Sequence, residues 1–145
     1  MMIPRSVYLK LDRAQEHFRT LAHEITNYLD REPYKLVRNV QPSDQQLVLI
    51  EFHVVNEPDE RIGVILGDCL HNLRSALDHL ACCLVEKNGG TVTTKTQFPI
   101  LDIRPTKAGQ PIKPQISGGV APNVLAVIDL LQPYASGKDM SRHPL

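Results

Sequence analysis

Asp68, His71, Asn72, Ser75, Asp78 and His79 recur three or four residues apart between Gly67 and Leu80. That spacing gathers side chains on one side of an α-helix. All six are short groups able to donate or accept hydrogen bonds, and imidazoles or carboxylates placed this way can bind a polar ligand or move a proton. Arg74 sits at the margin of the row, one turn before Asp78. The ordinary furniture of a solvated helix face is missing: from Ile62 to Val85, about six turns, there is no Lys, Glu or Gln. Ser and Asn are only moderate helix formers, so propensity does not explain them. A ligand, a partner surface or bound water would. The plain alternative is a helix buried on two sides, its polar groups satisfied by neighbours.

Several chemistries can be weighed on spacing. His71 and His79 stand about 12 Å apart along a helix axis, too far to share one ion, so no metal is expected. Cys82 has no identifiable base beside it, and a buried cysteine is usually inert. Gly89-Gly90 and Gly118-Gly119 are isolated pairs without the lysine of a phosphate loop. No cofactor is expected.

The elements that must position the row follow from periodicity. Leu11, Ala14, Phe18, Leu21, Ala22, Ile25, Tyr28 and Leu29 predict an amphipathic helix over about 6–31, ended by Pro33. Tyr34 to Val40 and Gln46 to Val55 are rich in Val, Ile, Phe and Tyr, and with Pro42, Ser43 and Asp44 between them they predict a β-hairpin. Such a hairpin is marginal alone, so it should pack on the helices or extend a partner's sheet. The second long helix should begin near Pro58, capped by Asn56 or Glu57, and stop at Gly89 and Gly90. Its core stripe is expected to be Ile62, Leu66, Leu70, Leu73, Leu77, Leu80 and Leu84, flanked by Cys69 and Ala76. Seven of the eleven prolines lie from Pro99 onward, which predicts an extended and irregular wrap. A short third helix is expected over about 122–131.

Composition bounds the rest. With 145 residues the chain suffices for one domain, 1–145, with a real core. Its formal net charge of zero offers no global field for nucleic acid or membrane. Three cysteines without a Cys-x-x-Cys pair give no disulfide framework or zinc knuckle. No signal sequence or membrane-length apolar run is present, so a cytoplasmic, soluble protein without membrane contact is expected. The end at His143-Pro144-Leu145 reads as cut off, so a truncated C-terminus is expected.

The run Gly67-Asp68-Cys69-Leu70-His71-Asn72-Leu73-Arg74-Ser75-Ala76-Leu77-Asp78-His79-Leu80 resembles the helix signature of a family of uncharacterised bacterial proteins. Phe98-Pro99-Ile100 and Leu131-Gln132-Pro133-Tyr134 are similar to that family's later landmarks, so the likeness extends from about Pro58 to the end. It implies no activity. Within the same run, Arg74-x-x-x-x-His79 is similar to the Arg-x(4–6)-His motif of HEPN domains, many of which are metal-independent ribonucleases acting as symmetric helical dimers. That similarity implies His79 as proton carrier at the ribose 2′-hydroxyl and leaving oxygen, Arg74 as stabiliser of phosphate charge, and Asp78 or Ser75 as orienting group. An Arg74–Asp78 pair within one helix is the simpler explanation of the same residues. The fold class expected is α+β, mainly helical: two long antiparallel helices with an intervening hairpin, a Pro-rich segment and a short third helix. The function expected is a small binding or assembly module, homodimeric through its helices, with Asp68, His71, Asn72 and Ser75 contacting the ligand. The alternative is an endoribonuclease with Arg74, His79 and Asp78 as catalytic residues and RNA as substrate.

Overall fold

The computed structural model describes residues 3–40 and 48–136, so the expected turn residues Pro42, Ser43 and Asp44, and His143, lie outside the described residues. The fold is α+β: helix α1 (Arg5–Leu29), strands β1 (Tyr34–Val40) and β2 (Val48–Val54), helix α2 (Glu60–Lys87), strands β3 (Thr106–Lys107) and β4 (Gln110–Pro111), and helices α3 (Pro122–Leu130) and α4 (Pro133–Ser136). The chain divides into two compact units, Asp12–Asn72 and Met1–Leu11 with Leu73–Leu145. Both long helices cross the boundary, so each contributes to both units.

In the unit of residues 12–72, α1 and α2 run antiparallel. The Cys69 thiol meets the Ala14 carbonyl at 3.4 Å, and Arg61 reaches Glu24 at 3.3 Å, so α2 descends as α1 rises. Ala14, Leu21, Ile65 and Cys69 are buried along this seam. The Asp59 carboxylate accepts the Arg61 N–H at 2.8 Å and caps α2, so the cap is Asp59 and not the expected Asn56 or Glu57, two or three residues earlier. The hairpin is antiparallel, with Tyr34 opposite Val54, Leu36 opposite Phe52 and Arg38 opposite Ile50. Paired residues share a face and neighbours along a strand alternate, so these six lie on one side of the sheet. Pro33 is buried at the base, and its carbonyl accepts the N–H groups of Val55 and Asn56 at 2.7 and 3.4 Å.

The other unit holds the main enclosed core. Ala81, Val85, Phe98, Ile116, Val120 and Ile128 are buried together, with Leu77, Leu84, Val124 and Leu125 packed against them. The Pro-rich segment is the wrap that closes this cluster. It passes close enough to α2 that only glycine fits: a Cβ at Gly90 would lie 2.2 Å from the Gly118 carbonyl oxygen, and Gly118 itself holds φ +99° against Val85. The stretch expected to be an irregular loop contains the short β3–β4 pairing, turned through Ala108 and Gly109 at φ 51° and 77°. Gln132 is 1% exposed and holds the wrap from inside. Its amide accepts the Leu101 N–H at 2.9 Å and donates to the carbonyls of Pro99 and Ile128 at 3.0 and 3.1 Å.

The core stripe of α2 differs from the expected one. Leu66, Leu70 and Leu73 are 44, 56 and 41% exposed, and Ile62, Leu77, Leu80 and Leu84 are only partly buried. The buried positions are Ile65, Cys69, Ala76, Ala81 and Val85. Small side chains permit close packing within the chain, and the leucines beside them are left outward.

Candidate functional site

The polar row on α2 is divided between the two units. In the unit of residues 12–72, Asp68 and His71 are exposed, and the half-buried Asn72 donates its side-chain N–H to the Asp68 carbonyl at 2.8 Å, a bond within the helix. In the other unit Ser75, Asp78 and His79 are half-buried. Asp78 is the busiest of them. One carboxylate oxygen accepts the Phe98 N–H at 2.9 Å, and the Arg74 guanidinium reaches both oxygens at 3.1 Å. Arg74 also donates to Gln97 at 3.4 Å. Asp78 therefore anchors the wrap to α2 and places Phe98 in the core. Neither Ser75 nor His79 makes a side-chain hydrogen bond among the described residues.

A recess of about 360 Å³ beside Arg74 is lined by Lys95, Gln97, Gln115, Ser117 and residues 98–101, and His79 is not among its walls. Arg74 and His79 thus share a helix, but only Arg74 lines this recess. No group of three or more His, Cys, Asp or Glu side chains there is arranged to hold a metal ion. Cys69 is buried and Cys82 and Cys83 are half-buried free thiols.

The larger unexplained feature is apolar. Along α1, Val7, Leu11, Ala14, Phe18, Leu21, Ile25 and Tyr28 alternate by four and three residues, the spacing of two adjacent rows in a helical bundle. One row is covered: Val7, Ala14 and Leu21 are 2–8% exposed. The other is open: Leu11, Phe18 and Ile25 are 43, 62 and 40% exposed. The pattern repeats on α2, where Cys69 and Ala76 are buried while Leu66 and Leu73 face outward. In the unit containing both termini, Ile3, Val7, Leu11, Leu73, Ala76, Leu77 and Leu80 line a groove of about 420 Å³ with no polar wall. A second apolar recess of about 250 Å³ lies between α2 and α3, lined by Leu80, Leu84, Phe98, Val124, Val127, Ile128 and Leu131. The four–three alternation was present in the sequence and would have exposed the second row.

Two phenols have raised pKa values. Hydrogen bonding with Tyr34, then burial and the nearby charges of Tyr34 and Glu57, push Tyr28 up to about 12. Burial, reinforced by the hydrogen bond to Asp129, raises Tyr134. Tyr134 and Arg104 both bind the Asp129 carboxylate, and the guanidinium lies 5.4 Å from the Tyr134 ring centre.

No helix among the described residues is long and apolar enough to cross a membrane. No protein-family model, curated protein or solved structure matches the chain.

Proposed function

We propose that the protein is a helical assembly module that works as a homodimer, joined through the outward apolar rows of α1 and α2. The observation carrying this reading is the half-used alternation: each long helix has two apolar rows, and the chain alone covers one. A helix with both rows apolar is suited to two helical neighbours, and two copies of an antiparallel pair supply them as a four-helix bundle. A two-fold arrangement meets the need with one surface, since the same patch serves on both sides.

The polar row on α2 fits this reading as support for the wrap and as a solvated flank. The ribonuclease reading has less behind it: Arg74 is engaged with Asp78 and Gln97, and the recess beside it excludes His79. A catalytic arginine needs its guanidinium available to phosphate.

Phe18→Glu with Leu73→Glu tests the proposal. Both side chains are more than 40% exposed, so the chain should keep its fold. The dimer should be lost by at least about 100-fold in dissociation constant, because each change occurs twice in a symmetric interface. Unaltered self-association in analytical ultracentrifugation would refute it.

A further inference from the structure

Within the unit of residues 12–72, one face of the hairpin carries Tyr34, Leu36, Ile50, Phe52 and Val54, which are 43, 70, 67, 61 and 55% exposed. A two-stranded hairpin is marginal in water, and an uncovered apolar face removes the burial that would hold it. Yet this hairpin is well braced. Tyr34 and Phe52 stack with ring centres 4.9 Å apart, and Tyr28 meets Tyr34 edge-on at 6.1 Å, tying the face to α1. The Tyr28 hydroxyl donates to the Asn56 carbonyl at 2.8 Å and fixes the return of the chain below β2.

We infer that the hairpin is an arm whose apolar face packs on a second copy of this chain, an inference that rests on the dimer proposed above. Interface size points to that occupant. In the same unit, Phe18, Ile25, Leu66 and Leu70 are 62, 40, 44 and 56% exposed, which leaves roughly 400 Å² of surface, half of the about 800 Å² per partner of a stable interface. The five apolar residues of the hairpin face, 43–70% exposed, add roughly 500 Å², which takes the sum past that threshold. By itself it matches the largest apolar patches found on monomers. Its charge content points the same way. The face bears one charged residue, Arg38 opposite Ile50, and no carboxylate, while Glu51 and His53 bond to each other on the other side. A single cation among apolar groups does not select a strongly acidic or basic partner, and a self-complementary apolar contact needs no such selection.

The test replaces Leu36→Thr and Phe52→Thr together, keeping residues that suit a strand. Sedimentation of the full chain should show a dimer dissociation constant raised about 100-fold, with helical circular dichroism unchanged. A constant equal to that of the unsubstituted chain overturns the arm and leaves the helix interface standing. An unsubstituted chain that stays monomeric overturns the helix interface, and the arm with it. Should the variant not fold, hydrogen exchange on the unsubstituted chain decides. Amides of 34–38 and 50–54 should exchange more slowly as protein concentration rises. Exchange independent of concentration overturns the arm, whether because the face is bare or because the chain itself covers it.

Discussion

The wrap around α3 and the hairpin near the end of α1 solve the burial problem in opposite ways. In the wrap, each key polar group has a partner inside the chain: Gln132 holds residues 99–101, Asp78 holds Phe98, and Thr96 donates to the Ser117 carbonyl at 2.9 Å. Phe98, Ile116, Val120 and Ile128 are enclosed beneath them. The hairpin has its backbone register in place but leaves Leu36, Ile50 and Phe52 more than 60% exposed. One region completes its core from its own sequence; the other offers apolar surface outward. A chain that invests so many hydrogen bonds in closing one core is not generally loose, so the open surface has the character of an interface.

The sharpest way to break this contrast is to open the closed region. Gln132→Ala removes three hydrogen bonds and leaves the Leu101 N–H and Pro99 carbonyl without their partner. It should cost about 3 kcal/mol in urea unfolding, from unsatisfied buried groups plus the cavity. A loss below about 0.5 kcal/mol would show the wrap is not held from within. Asp78→Ala comes next, at about 2 kcal/mol, because the partly exposed Arg74 pair adds little beyond the bond to Phe98. Asp78→Asn keeps an acceptor for that N–H and should recover about half of the loss. If both variants cost the same, the charge paired with Arg74 and not the bond to Phe98 carries the contribution of Asp78.

The open region calls for a gentler probe. Tyr28 should ionise at about 12, above its ordinary value of 10, in an ultraviolet phenolate titration. Since the folded value is the higher one, its contribution to stability is whole below pH 10 and is lost as pH rises through 12. Loss of the shift in Tyr34→Phe would assign it to the Tyr34 hydroxyl, and its persistence would assign it to burial and Glu57.

How much of this was legible follows from where each signal resides. Helices α1, α2 and α3 and the two strands of the hairpin came from local periodicity, because apolar spacing and Gly or Pro punctuation act within a few residues. Which row of α2 is buried did not. Leu66, Leu70 and Leu73 outweigh Cys69 and Ala76 in hydrophobicity, yet the close approach of α1 at Ala14 favours the small residues. The role of Asp78 was equally hidden, since its partner Phe98 is twenty residues away and contributes a backbone group without sequence identity. The unusual chemistry of the row was visible, but its use in anchoring a wrap depends on long-range packing.

Sedimentation equilibrium of the unsubstituted chain over a wide concentration range tests the central claim most directly. A reversible dimer, at twice the 16.3 kDa chain mass, with a dissociation constant of about 1 µM or tighter is the expected result. A monomer that persists to several hundred micromolar, of the order where weak contacts already associate, would contradict it.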